Sequence, residues 1–201
     1  MEHPYRVVLL AGPSGSGKSY IAEQTGLPVL CLDDFYKDGD DPTLPRQNGL
    51  VDWESPLSWD ADAAVETIAR LARDGRADVP VYAIDQDRRV ATRPFEIAGS
   101  PLFVAEGIFA AEIVAECRRR GVLAGAYALR RPRGATFVRR LARDLGEQRK
   151  APRVLLRRGV ALLRAEPAVL RRQTGLGAEA ARAGEVLRRV AGLLAGHRHH
   201  T

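Results

Sequence analysis

Short continuous apolar runs alternate along this chain with stretches whose apolar residues recur three and four positions apart. Tyr5 to Ala11 is a Val/Leu-rich run that ends in a glycine loop, and the residues from Tyr20 onward suit a helix. Pro28 to Leu32 predicts a second buried strand, ending at Asp33. Asp38 to Pro56 is rich in Asp, Pro and Gly and predicts a long loop, and loops of that length are usually functional. Ser58 or Asp60 is placed to cap a helix through Ala64, Ile68 and Leu71 to Gly75. Val79 to Ile84 and Pro101 to Ala105 predict strands, Ile113 to Arg120 a helix, and Val122 to Leu129 a further strand; beyond that the period is helical. Buried strands alternating with amphipathic helices predict a three-layer α/β fold. Its mostly parallel, doubly wound sheet would carry helices on both faces and bind ligand at the carboxyl ends of the strands. A length of 201 residues suits one such domain, spanning 1–201.

Composition narrows the class. With 45% hydrophobic and 28% charged residues the chain falls in the globular range, outside that of disordered or membrane proteins. The first apolar run is too short for a signal peptide or a spanning helix, so a cytoplasmic protein without a membrane partner is expected. Cys31 and Cys117 have no Cys-x-x-Cys spacing, which fits a reducing compartment and argues against zinc. The net charge of +6 conceals an asymmetry: residues 1–100 hold 17 Asp/Glu against 10 Lys/Arg, and the remainder 8 against 21. Arginine forks bind phosphate oxygens in pairs, so the basic half suits a clamp on a polyphosphate or a nucleic acid. Most of these arginines read as solvated helix faces, so nucleic acid is not expected as a partner; self-association into a homo-oligomer is left open.

Gly12-Pro13-Ser14-Gly15-Ser16-Gly17-Lys18-Ser19 satisfies G-x-x-x-x-G-K-[ST] directly after a strand and at the opening of a helix. That setting separates a phosphate-binding loop from a flexible glycine turn, which has no need of Lys18 and Ser19. Gly12, Ser14, Gly15, Ser16 and Gly17 would bring backbone N–H groups onto phosphates. Lys18, expected at the solvent side, would reach the β and γ phosphates, and the Ser19 hydroxyl would ligate Mg2+. ATP is expected rather than GTP, because the sole asparagine, Asn48, precedes Gly49 and Leu50 and begins no Asn-Lys-x-Asp motif. Leu102 to Ala105 followed by Glu106-Gly107 has the form of a strand that delivers a carboxylate beside the magnesium. At the end of the second strand Asp33 and Asp34 are both candidate proton acceptors, and neighbours on an extended strand point to opposite sides, so one of the two faces the phosphate.

With their surroundings, these residues resemble the uridine kinase family of nucleoside and metabolite kinases, which also contains phosphoribulokinase and pantothenate kinase relatives. Leu32-Asp33-Asp34-Phe35-Tyr36 is similar to the family's Gln-Asp-Ser-Phe-Tyr, whose aspartate is the catalytic base, which implies that role for Asp33. Asp52-Trp53-Glu54-Ser55-Pro56-Leu57-Ser58-Trp59-Asp60 is similar to Asn-Phe-Asp-His-Pro-Asp-Ala-Phe-Asp, whose aromatic–acid pair contacts the nucleoside; Trp53 and Trp59 equally suit core or lid packing. Pro80-Val81-Tyr82 matches Pro-x-Tyr, and Phe103 to Ile108 matches the apolar-Glu-Gly-Ile segment that supplies a magnesium-side acid, here Glu106. Arg139-Arg140-Leu141-Ala142-Arg143-Asp144 resembles the Arg-Arg-x-x-Arg-Asp helix of the family's lid, whose arginines close over the phosphates.

The resemblance spans roughly residues 5 to 150 and breaks at three places. Asp87 stands where uridine kinases carry a base-recognising His, Ala83-Ile84 replaces Asp-Phe, and Val154 to Leu194 lacks a closing strand. It implies a kinase using ATP and Mg2+ that moves the γ-phosphoryl group to a primary hydroxyl of a small-molecule acceptor. The acceptor expected first is the 5′-OH of a pyrimidine nucleoside, uridine or cytidine; pantothenate, glycerate or a sugar phosphate are the alternatives within kinases, and an ATP-dependent nucleic-acid-binding module the alternative outside them. Catalytic roles fall to Lys18, Asp33 and Arg143, and phosphate contacts also to Arg139 and Arg140. Acceptor contacts fall to Asp33, Tyr36, Trp53, Glu54, Tyr82, Asp87 and Arg89. Residues 36–60 would form the acceptor loop and about 131–151 the arginine-rich lid.

Overall fold

The computed structural model describes residues 3–130 and 167–198, so the expected lid with Arg139, Arg140 and Arg143 lies outside the described residues. Strands β1 (Arg6–Ala11), β2 (Val29–Cys31), β7 (Leu102–Gly107), β8 (Leu123–Leu129) and β9 (Glu179–Ala181) form one sheet in the order β2-β7-β1-β8-β9. All of its pairings are parallel. The central strands β1 and β7 are buried almost throughout, as uninterrupted apolar runs must be when helices cover both faces. Alternate side chains divide between two cores. Val7, Leu9 and Ala11 face Ile68 and Leu71 of α2 (Ala61–Asp74) and Val114 and Cys117 of α3 (Val114–Arg119). Val8 and Leu10 face Ile21 of α1 (Lys18–Gln24) and, with helical residues 167–175 counted as α4, Val186 and Val190 of α5 (Ala183–Arg198).

Of the two proposed caps for α2, Asp60 is the one used: its Oδ1 accepts from the Ala63 N–H at 2.9 Å. Gly75 closes that helix in the left-handed region (φ 71), with its N–H on the Leu71 carbonyl. The long loop holds a minimal hairpin, β3 (Arg46–Gln47) with β4 (Leu50–Val51), turned by Asn48 and Gly49 at φ 53 and 80.

Three features depart from the pattern. Strand β5 (Arg76–Ala83) lies outside the parallel sheet and pairs antiparallel with β6 (Arg88–Glu96), forming a ribbon of its own. Most of β6 is exposed, so no in–out alternation marks it in the sequence. Beyond residue 154 a closing strand does exist: β9 pairs with β8 through Tyr127↔Glu179 and Leu129↔Ala181. Its Glu-Ala-Ala sequence contains no β-branched or aromatic residue, so the neighbouring strand imposes the conformation. Finally, β2 stops at Cys31, and Leu32–Phe35 wind into a 3-10 turn. Among the described residues no helix is long and apolar enough to cross a membrane.

Candidate active site

The carboxyl ends of three strands meet at one level, because the register pairs Glu106 with both Leu10 and Cys31 and Gly107 with Ala11. The glycine loop leaves β1 at that level and enters α1. Gly15 and Gly17 lie at φ 76 and 80, backbone that L side chains rarely adopt. A Cβ on Gly12 would fall 2.8 Å from the Ser16 hydroxyl oxygen. The Ser16 N–H donates to the Pro13 carbonyl at 3.1 Å, winding the loop, and Ser14 sits in the turn between them.

Lys18 is not at the solvent side: it is 6% exposed, with its Nζ 3.8 Å from Glu106 Oε2, an ion contact longer than a hydrogen bond. Its partner Glu106, at the end of β7, is equally buried. The Ser19 hydroxyl donates to Glu106 Oε1 at 2.7 Å. Burial pushes the Glu106 carboxyl above the usual range, opposed by Lys18 and the Ser19 hydrogen bond and reinforced by the charge of Asp33.

These residues fit the triphosphate end of ATP with Mg2+. Glu106 Oε2 and Ser16 Oγ are buried and take no hydrogen bond among the described residues. Buried oxygens of that kind are costly unless something else meets them. Ser19 and Glu106 supply two hard oxygens, and no group of three or more His, Cys, Asp or Glu among the described residues could form a closed cation cage. An open pair of that sort suits Mg2+, which keeps water and phosphate oxygens in its coordination shell.

Asp33 and Asp34 diverge as expected, for a different reason. A 3-10 turn advances neighbours by about 120° rather than alternating them. Asp33 Oδ1 accepts from the Ile108 N–H at 3.3 Å, beside the end of β7 and toward Glu106. Asp34 Oδ1 accepts from the Tyr82 N–H at 3.4 Å, on the ribbon side. Burial raises the Asp34 carboxyl, with the Tyr82 N–H and the Arg93 charge opposing. Cys31, beside both, is pushed up to about 12 by burial and then by Asp34, Asp33 and Glu106, which makes it a poor nucleophile.

On the far side of Asp33 stands an aromatic wall. The Tyr36 ring centroid is 5.8 Å from Trp53, 5.9 Å from Tyr82 and 5.9 Å from Phe109. The Tyr36 hydroxyl donates to the Trp53 carbonyl at 3.3 Å, and burial followed by the charges of Asp33 and Glu54 raises it. The Tyr82 hydroxyl donates to the Lys37 carbonyl at 3.2 Å and is pushed up to about 12 by burial, then by Asp87 and Asp38. Tyr36, Trp53 and Tyr82 are thus packed together, with Asp33 and Glu54 near enough to act on Tyr36 and Asp87 on Tyr82. Phe109, in this wall, carries no sequence signal beyond following the Glu-Gly-Ile segment. Trp59 plays a different part from Trp53: at 3% exposure it is core, and its Nε1–H donates to the Leu32 carbonyl at 2.7 Å, bracing the turn that carries Asp33. Arg89 braces the loop through its backbone and part of its guanidinium. Its N–H goes to Asp38 Oδ1 (2.7 Å), its Nε–H to the Tyr36 carbonyl (3.3 Å) and its Nη2 to Asp60 Oδ2 (3.1 Å), so it ties both ends of residues 36–60 to the ribbon. Asp87 is exposed at the ribbon's turn with φ 48, its carbonyl accepting from the Gly39 N–H.

No protein-family model matches the chain. Curated relatives do. A uridine kinase from Schizosaccharomyces pombe is 32% identical over 120 residues, which cover 54% of this chain and 26% of that protein. One from Ureaplasma urealyticum is 23% identical over 155 residues, 72% of each chain. In three dimensions the chain is similar to a candidate P-loop-containing kinase with a circular permutation from Saccharomyces cerevisiae (TM-score 0.62, 11% identity, 90% of this chain and 93% of that one). It is also similar to a candidate fructose transport system kinase from Silicibacter (TM-score 0.59, 20% identity, 88% of each). At those identities the two structures speak for the fold alone, and the match to the Schizosaccharomyces pombe protein spans about a quarter of that protein's length. The chain thus has the fold of P-loop kinases and is similar in sequence to uridine kinases over part of its length.

Proposed function

We propose that this kinase transfers the γ-phosphoryl group of ATP to a primary hydroxyl, with the 5′-OH of uridine or cytidine as its acceptor. What supports the reading is Asp33, which is held by the Ile108 N–H two residues past Glu106 of the buried Lys18–Ser19–Glu106 cluster and precedes by three residues Tyr36, whose ring packs with Trp53 and Tyr82. Phosphates belong at that cluster and a flat, hydroxylated acceptor at those rings. Magnesium bound with the nucleotide would neutralise charge on the β and γ phosphates. Lys18 and the loop amides would carry the remaining charge as it develops on the transferred group, and Ser19 and Glu106 would hold the metal. Asp33, anchored by the Ile108 N–H, leaves its second oxygen to orient the acceptor hydroxyl and take its proton. The aromatic rings would exclude water from that proton transfer, and Trp53 with Glu54 would grip the acceptor at the outer rim. Arg139, Arg140 and Arg143 are proposed to close over the phosphates.

An ADP-release screen across nucleosides, pantothenate, glycerate and sugar phosphates tests this. Release that depends on uridine or cytidine is the expected result. Release with one of the other alcohols instead would move the acceptor, and salt-dependent RNA or DNA binding with no acceptor at all would overturn the enzymatic reading.

A further inference from the structure

Gln173 is the one polar residue of α4 that is buried, at 3% exposure, and the phosphate and acceptor sites described above make no use of it. It lies far along the chain from the catalytic motifs, in the stretch that leads to β9, and its own carbonyl accepts from the Ala178 N–H at 3.2 Å where the helix gives way to that strand. Its side chain turns the other way, into the carboxyl end of the sheet. There Nε2 donates to the Ile108 carbonyl at 3.2 Å. The carbonyl can only accept, so the amide is oriented with its nitrogen inward, and Oε1 is left buried without a hydrogen bond among the described residues. An unsatisfied buried amide oxygen is destabilising, and packing alone would be better served by an apolar side chain.

Ile108 is the residue whose N–H holds Asp33 Oδ1. It is therefore restrained on both sides, by Gln173 at its carbonyl and by Asp33 at its N–H. Gly107, just before it, has no room for a side chain: a Cβ there would meet Leu32 Cβ at 2.8 Å and Asp33 Oδ1 at 3.1 Å. Next to Gln173, Arg172 pairs with Glu112 at 3.0 Å, and Leu170 and Leu176 pack on the core, so α4 is docked independently of the amide. We propose that Gln173 is a positioning residue for phosphoryl transfer, holding the Ile108 carbonyl and through it the backbone of that residue, so that the Ile108 N–H, one peptide unit earlier, presents the Asp33 carboxylate to the acceptor hydroxyl. This rests on the reading of Asp33 as the base.

The test is a double-mutant cycle between Asp33→Asn and Gln173→Met, read as kcat, KM for acceptor and for ATP, and melting temperature. Met keeps the length and volume of Gln and removes the donor. Gln173→Met is expected to lower kcat about tenfold, the scale of a misaligned catalytic group, with KM for ATP unchanged. The double variant should be no slower than Asp33→Asn alone, because Gln173 acts only through that carboxylate. Gln173→His, whose Nε2 reaches about as far as that of Gln, should restore most of the rate. A Gln173→Met loss that multiplies with that of Asp33→Asn, or one that appears only as a lower melting temperature, would show that Gln173 anchors α4 and nothing more, and would overturn the inference. Should Met prevent folding, the His variant decides alone, and a rate below one-tenth of wild type in a stably folded His variant contradicts the proposal. Near-normal kcat in Asp33→Asn would overturn the reading of the base itself and the inference with it, an outcome distinct from the failure of Gln173 alone.

Discussion

Gly107→Ala offers a direct probe of how the end of β7 places the base. The added Cβ would lie 2.8 Å from Leu32 Cβ, where carbon–carbon contacts settle at about 3.5–4.0 Å, so the Leu32–Asp33 turn must retreat by roughly 0.7–1.2 Å. That retreat is resisted. Leu32 is fully buried and its carbonyl holds the Trp59 indole, so the move compresses the core or stretches a buried hydrogen bond. Overpacking of this kind costs about 1–3 kcal/mol. For a chain of this size each of those kcal/mol lowers the melting temperature by roughly 2–4 °C. The base suffers more than the fold, because a displacement of about 1 Å at a reacting group is worth up to about a hundredfold in rate. Acceptor-dependent ADP formation should therefore fall between about ten- and a hundredfold. KM for ATP should hold, since the glycine loop hangs from β1. Thermal melting and coupled-assay kinetics on the same preparation decide it; a variant with wild-type melting and wild-type kcat would refute the packing argument.

Three further outcomes follow from individual contacts. Lys18→Met removes the cation beside the buried Glu106, and breaking such a pair costs about 3–5 kcal/mol while the carboxylate stays charged. Protonation relieves that cost, so the variant should melt below wild type at neutral pH with a gap that narrows on acidification; a gap independent of pH would contradict the pairing. Asp34, whose carboxyl is raised by burial, holds its proton more tightly in the folded than in the unfolded chain, so its contribution falls as pH climbs from 3.8 through the raised value. Asp34→Asn should accordingly gain on wild type in melting temperature as pH rises, with kcat little changed, and a difference that shrinks with pH would reverse the sign of the argument. Trp59→Phe removes the buried hydrogen bond to the Leu32 carbonyl and should cost about 0.5–1.5 kcal/mol, whereas Trp53→Phe should leave melting alone and raise KM for the acceptor; equal effects on both would erase the distinction between core and rim.

Much of this architecture is legible in the sequence where burial and period agree. The apolar runs of β1, β7 and β8 can only be covered strands, and Asp60 and Gly75 bracket α2 by the ordinary chemistry of helix ends. Legibility fails where tertiary contact overrides local preference. Glu179–Ala181 has no strand propensity and becomes β9 because β8 offers it a ladder, and β6 hides because an exposed ribbon needs no alternation. The site divides in the same way. Gly12 to Ser19 announce themselves because phosphate binding demands those residue types at that spacing. The sequence misjudges the surroundings of Lys18, since nothing local reveals that Glu106 will lie within an ion contact of it. Arg89 has a bracing part that no local pattern reveals, since its contacts with Tyr36, Asp38 and Asp60 tie segments far apart in the chain. Phe109 and Gln173 have no motif at all, because their roles exist only once β7, the Leu32–Phe35 turn and α4 have come together.

In the proposed reaction Asp33 takes the proton of an acceptor hydroxyl as phosphate leaves ATP. Its most direct test follows label from γ-labelled ATP into the 5′-phosphate of uridine or cytidine, with wild type and Asp33→Asn side by side. Wild type should transfer label only when the nucleoside is present, and Asp33→Asn should show a kcat lower by about a hundred- to ten-thousandfold with KM for ATP nearly unchanged. Label released to water irrespective of the nucleoside, or transfer by Asp33→Asn at the wild-type rate, would contradict it.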